Sequence, residues 1–130
     1  MFHIFKSNDE RSKIGGTGFI EIQYCKLKPG TTLREKVAVE SIEFRSADSL
    51  YVYCDDINEF IVNYREIFNC GIYNNMKNGP IDILGINYYS PSIINRLIKE
   101  VEVMKPMDYE ILLNWLNKAY EFNGIYILGI

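Results

Sequence analysis

A chain of 130 residues holds one domain and falls short of two. Its 14% aromatic content, with 10 Tyr and 7 Phe, excludes disorder, because disordered chains lack the apolar area to offset ordering entropy. A formal net charge of −3 at pH 7 argues against nucleic-acid binding, which rests on Lys and Arg contacts to phosphate.

A domain of this size buries roughly two-thirds of the surface its unfolded chain exposes, so it needs no staple to fold. Cys25, Cys54 and Cys70 are an odd set with no C-x-x-C spacing, and free buried thiols are expected rather than a disulfide framework or a zinc site. Met1-Phe2-His3-Ile4-Phe5-Lys6 has no basic region followed by a long apolar run, so no signal peptide is read there. No stretch approaches the ~20 apolar residues of a membrane span. These features lead us to expect a cytoplasmic protein with no membrane partner.

In chain order, a short apolar start precedes a polar, Gly-rich loop over 7–18. Residues 19–27 read as a strand, with Ile20, Ile22 and Tyr24 on one face and Glu21 and Gln23 on the other. After the Lys28-Pro29-Gly30 turn, a second strand is expected over 36–45, with a bulge near Glu40-Ser41 where the apolar phase slips. A third strand over 50–54 follows a tight connection through Ala47-Asp48-Ser49, and the three form an antiparallel meander. Ile57, Phe60, Ile61, Tyr64, Ile67 and Phe68 then recur at helical spacing and predict a helix over 56–69. Asp56 with Glu59 suggests a capping box at its start, and Gly71 a stop at its end.

Residues 74–80 read as a loop and 81–89 as a fourth strand. Ser90-Pro91 opens a helix over 91–104 that Lys105-Pro106 closes, and Asp108 caps a third over 108–122. Asn123-Gly124 leads into a last strand over 125–130. The tetrapeptide Ile-Leu-Gly-Ile occurs at 83–86 and 127–130, and both copies read as core strands whose Gly admits close backbone approach. The fold class is α+β, an antiparallel meander followed by helices packed on the sheet, in the order (β)βββ-α-β-α-α-β.

No residue pattern supplies a catalytic set. His3 is the only histidine and lies at a chain end, so a triad or a paired-His metal site has no second partner. Gly15-Gly16-Thr17-Gly18, near Lys13, lacks Walker spacing and precedes a strand, whereas phosphate-binding glycines open a helix. Asp55, Asp56 and Glu59 suit a helix start better than an acid/base pair. We therefore expect a non-enzyme without cofactor or metal.

Charge is unevenly spread. Through Lys36 there are 7 basic and 4 acidic residues; from Val37 onward there are 7 basic and 13 acidic. Glu40, Glu43, Asp48, Asp55, Asp56, Glu59 and Glu66 face only Arg45 and Arg65 in the densest stretch. Such a surface steers a basic protein partner, and the interleaved Tyr51, Tyr53 and Tyr64 belong to a residue type enriched at interfaces. Alternation over 50–54 puts Tyr51 and Tyr53 opposite Leu50, Val52 and Cys54, hence outward. The expected partner-binding surface is Asp55, Asp56 and Glu59, with Glu40, Glu43, Tyr51 and Tyr53 as neighbours. Trp115 lies off the main helical stripe with Ile111 and Phe122, which implies either burial on two sides or an apolar edge for a partner.

The last third of the chain, from Gly85-Ile86-Asn87-Tyr88-Tyr89-Ser90-Pro91 through Lys105-Pro106-Met107-Asp108-Tyr109-Glu110 to its Gly-Ile-Tyr-Ile-Leu-Gly-Ile end, resembles small immunity proteins of bacterial polymorphic-toxin systems in size, acidity and Tyr/Asn-rich layout. The resemblance implies a protein partner, a cognate toxin domain, often a basic nuclease, that is bound and neutralised without catalysis. Two other readings remain open. One is a small-ligand-binding or enzymatic domain whose pocket uses Asn87, Tyr88, Tyr89 and Trp115. The other is an oligomeric structural subunit pairing through an exposed strand edge.

Overall fold

The computed structural model describes residues 1–5, 10 and 18–129. The Gly15-Gly16-Thr17 segment and the final isoleucine lie outside the described residues. Seven strands form one antiparallel sheet: β1 (Phe2–His3), β2 (Phe19–Tyr24), β3 (Leu50–Tyr53), β4 (Gly71–Tyr73), β5 (Asn78–Gly79), β6 (Ile86–Tyr89) and β7 (Ile125–Leu128). Their order is β1-β3-β2-β7-β6-β4-β5. Four helices are described over their full length: α1 (Leu33–Lys36), α2 (Ile57–Tyr64), α3 (Pro91–Met104) and α4 (Tyr109–Asn117). The α+β class and the approximate order of elements agree with the sequence reading.

The period-2 patterns divide the sheet into two faces. Ile20, Ile22, Tyr24, Leu50, Val52, Tyr89, Ile125 and Ile127 point to one face, where α2, α3 and α4 cover them with Phe60, Tyr64, Leu97, Val101, Leu112 and Leu116. Cys25, Ile86, Tyr88, Tyr126 and Leu128 point to the other, where Val37 and Ile42 close over them. α2, α3 and α4 form because each presents an apolar stripe to the sheet, which is where most helical stability in proteins arises.

The segment 36–45 is not a strand. Thr32 Oγ1 accepts from the Glu35 amide at 3.3 Å and caps α1, and a 3₁₀ turn follows at Val39–Ser41. Val37 and Ile42 are buried while Val39 and Phe44 are about half exposed, so no period-2 face exists to pair. β3 instead lies directly against β2, with Ile20 opposite Val52 and Ile22 opposite Leu50. The other neighbour of β2 is β7, from the far end of the chain. In the expected fourth strand only the last four residues pair. Asp82 Oδ1 accepts from the Leu84 amide at 3.0 Å and turns the chain, which leaves Leu84 exposed. The two Ile-Leu-Gly-Ile copies nevertheless meet, since Ile86 pairs with Leu128 and the Gly129 amide donates to Gly85 O at 2.8 Å. A Cβ on Gly129 would collide with the Ile83 carbonyl.

Three caps differ from expectation. The chain enters α2 through a 3₁₀ turn (Cys54–Asp56), so Asp56 is already near helical geometry and its side chain makes no cap bond. Ser90 Oγ pairs with Ser92 Oγ, and the Asp108 carboxylate takes the Met1 amino group at 3.0 Å. Gly71 starts β4 rather than ending a helix. Its missing Cβ admits the Tyr89 ring, which would sit 2.9 Å away at its hydroxyl.

Candidate functional site

The sequence-predicted acidic surface is divided by the fold. Asp55 and Asp56 follow the C-terminal end of β3 and Glu59 lies in the first turn of α2; Asp55 and Glu59 are exposed and Asp56 is half-buried. Beside them His3 stacks on Tyr53, with ring centroids 3.8 Å apart and planes 5° apart. Burial and then the N-terminal amino group lower the His3 pKa, and Asp56 pulls it back upward, which places that carboxylate near the imidazole. Burial, then Glu10, raises the Tyr53 pKa. Among the described residues no ion pair involves Asp55, Asp56 or Glu59.

Glu40 and Glu43 belong to a different place. Both are exposed, on the segment that covers the second sheet face, and Glu43 O accepts from Gln23 Nε2 at 2.5 Å. Gln23 lies four residues along β2 from Phe19, the partner of Tyr53, or roughly 13 Å at ~3.3 Å per residue. Tyr51 does not point to solvent. Residues 42–49 fold over it, its hydroxyl donates to Ser46 O at 2.9 Å, and it is 3% exposed. Tyr64 is fully buried in the helix-side core, with its hydroxyl donating to Met107 O at 2.5 Å. Of the three tyrosines only Tyr53 accompanies the acids.

The covering segment is held by a buried carboxylate. Glu21, on the polar face of β2, accepts from the Arg45 amide at 2.7 Å, the Ser46 amide at 3.0 Å, Ser49 Oγ at 2.6 Å and Gln23 Nε2 at 2.9 Å. Hydrogen bonds to an ionised acceptor are stronger than neutral ones, so this arrangement fixes the loop that shields Tyr51.

An open groove of about 500 Å³ lies on the opposite face, between α4, the 3₁₀ turn Lys118–Glu121 and the β1–β3 edge. Its floor is a three-ring stack. Tyr24 lies between Trp115, at 4.0 Å and 8°, and Phe122, at 4.5 Å and 15°. The polar atoms of the stack are spent internally: Tyr24 hydroxyl donates to Trp115 O at 2.7 Å and Trp115 Nε1 to Asp48 O at 2.8 Å. Burial, then Asp48 and Glu121, raise the Tyr24 pKa. Trp115 is thus both buried and groove-lining, although sequence reading set those as alternatives. The other residues expected to line a pocket are core. Asn87, Tyr88 and Tyr89 are fully buried; Asn87 Nδ2 donates to Asp82 O and Ile127 O, and the tyrosine hydroxyls donate to Asn123 O and Phe68 O.

Among the described residues no group of three or more His, Cys, Asp and Glu side chains is placed to hold a metal ion, and no helix is long and apolar enough to cross a membrane. No protein-family model, curated protein or solved structure matches the chain. The fold and geometry define a seven-stranded antiparallel α+β domain with an acidic, aromatic corner and an apolar groove on its β1–β3 side.

Proposed function

We propose that the chain is a non-catalytic binding protein that neutralises a basic toxin domain. The observation that carries this reading is the β3–α2 corner, where Asp55, Asp56 and Glu59 stand without ion-pair partners among the described residues beside the stacked His3–Tyr53 pair. Unpaired surface carboxylates steer a cationic partner into encounter, and a rigid aromatic gives it an anchor at low entropic cost. The resemblance of the last third of the chain to immunity proteins supports a toxin as that partner. Glu40 and Glu43 play no part in this corner.

The test is to look for a toxin-like domain encoded beside the gene and to co-express the chain with it; the lack of any such domain would count against the reading. Growth should be restored and the two chains should co-purify, whereas the Asp55→Lys/Glu59→Lys double variant should fold normally and protect poorly. Full toxicity in the presence of the wild-type chain, with no complex on co-purification, would refute the reading.

A further inference from the structure

We infer that a polar pocket on the other face of the sheet, between the end of β2 and the covering segment, binds a small primary alkylammonium group. The inference stands apart from the β3–α2 corner and does not rest on the neutralisation reading.

The pocket has a volume of about 210 Å³, and its walls include Gln23, Lys26, Leu27, Ser41, Glu43 and Tyr126. That is below the roughly 300 Å³ at which drug-sized ligands are held, so the occupant is about the size of one side chain. Gln23 supplies the inner acceptor. It is 3% exposed, and its Nε2 is committed to Glu21 Oε2 at 2.9 Å and Glu43 O at 2.5 Å. Those two acceptors fix the orientation of the carboxamide, so Oε1 is the oxygen left over, and no donor among the described residues reaches it. A carboxamide oxygen so placed calls for a donor from whatever fills the pocket. Ser41 Oγ and the Glu43 carboxylate, in the same lining, are also without partners among the described residues.

Charge decides the class of donor. Lys26 is the one cation in the lining, and its Nζ lies 2.9 Å from Asp48 Oδ2. That pair cancels and leaves the Glu43 charge uncompensated. An ammonium group has three donors and no acceptor, which matches Gln23 Oε1, Ser41 Oγ and the Glu43 carboxylate. Its bonds are charge-assisted, so it outbinds a neutral hydroxyl of the same length. A carboxylate ligand would instead meet Glu43 with the only lining cation already engaged. Leu27 and Tyr126 give the alkyl chain apolar surface.

The experiment is calorimetric titration of the full chain at low salt and neutral pH with n-butylamine, n-butanol and sodium butyrate, alongside NMR of the side-chain amides. The amine should bind saturably at ~1 mM or tighter and shift the Gln23 amide resonances, with the alcohol and the carboxylate at least about tenfold weaker. Glu43→Gln removes the charge but keeps the backbone carbonyl that holds Gln23, so it should weaken the amine about tenfold with thermal unfolding unchanged. Ser41→Ala should weaken it about threefold. Acetyl-lysine-methylamide separates the two sources of an alkylammonium: binding as tight as the amine assigns the site to a lysine side chain of a protein, and exclusion assigns it to a free amine. No saturable binding of n-butylamine, equal affinity for the amine and the alcohol, or an unchanged affinity in Glu43→Gln would each overturn the inference.

Discussion

The two faces of the sheet are built by different means. The helix-side face is apolar and periodic: Phe60, Tyr64, Leu97, Val101, Leu112 and Leu116 are fully buried against apolar strand residues. The other face is covered by a segment whose only regular pieces are α1 and one 3₁₀ turn. That segment buries Val37 and Ile42 and is also tied down by polar bonds, with Glu21 accepting from the loop at 45–49 and the Tyr126 hydroxyl donating to Lys36 O at 2.5 Å. Both faces bury apolar residues, but the second adds directed bonds to an irregular cover, so the two should respond to different damage.

The largest effect is expected from the first face. Phe60→Ala removes a fully buried ring and should cost about 3–5 kcal/mol in chemical denaturation, with all probes lost together. Glu21→Gln should cost about 3 kcal/mol, because the Arg45 and Ser46 amides and Ser49 Oγ lose their charged acceptor. Its signature differs. Amide exchange should rise first over 42–49, with α2–α4 still protected, and uniform exchange across both faces would erase the distinction. Tyr126→Phe should cost about 1 kcal/mol by the same measurement, through the lost bond to Lys36 O.

The periodic face was legible in the sequence because its residues repeat at 2 or 3.6 positions; α3 has the expected bounds of 91–104. The irregular cover has no period to read. Val37 and Ile42 bury five positions apart, and alternation over 36–45 suggested a strand that tertiary packing does not use. A local sign of α1 was present in Thr32-Leu33-Arg34-Glu35, which has capping-box spacing. β4, at the expected helix stop, and β5, inside the stretch read as loop, span three and two residues, too short for any periodic signal. At the site, the grouping of Asp55, Asp56, Glu59 and Tyr53 was legible from chain proximity. The separation of Glu40 and Glu43, the burial of Tyr51 and the pairing of Trp115 with Tyr24 depend on residues 20–91 positions apart.

The smallest effect concerns His3 on the edge strand β1. His3 is held below the ordinary histidine value, chiefly by burial. The unfolded chain therefore takes up the proton first, and stability falls as pH drops from above the ordinary value near 6.5 through the depressed folded one. His3→Asn should flatten this slope in thermal unfolding from pH 7.5 to 5, values set on either side of about 6.5. An unchanged slope would show that the imidazole is not the titrating group.

The central claim is that the acidic corner recruits a basic protein, and the association rate with the co-purified toxin domain, measured at low and high salt, tests it most directly. For the wild-type chain the rate should fall steeply with salt. In the Asp55→Lys/Glu59→Lys variant it should be about tenfold lower at low salt and nearly flat in salt. Identical rates and identical salt dependence for both proteins would contradict the claim and move the interface away from the β3–α2 corner.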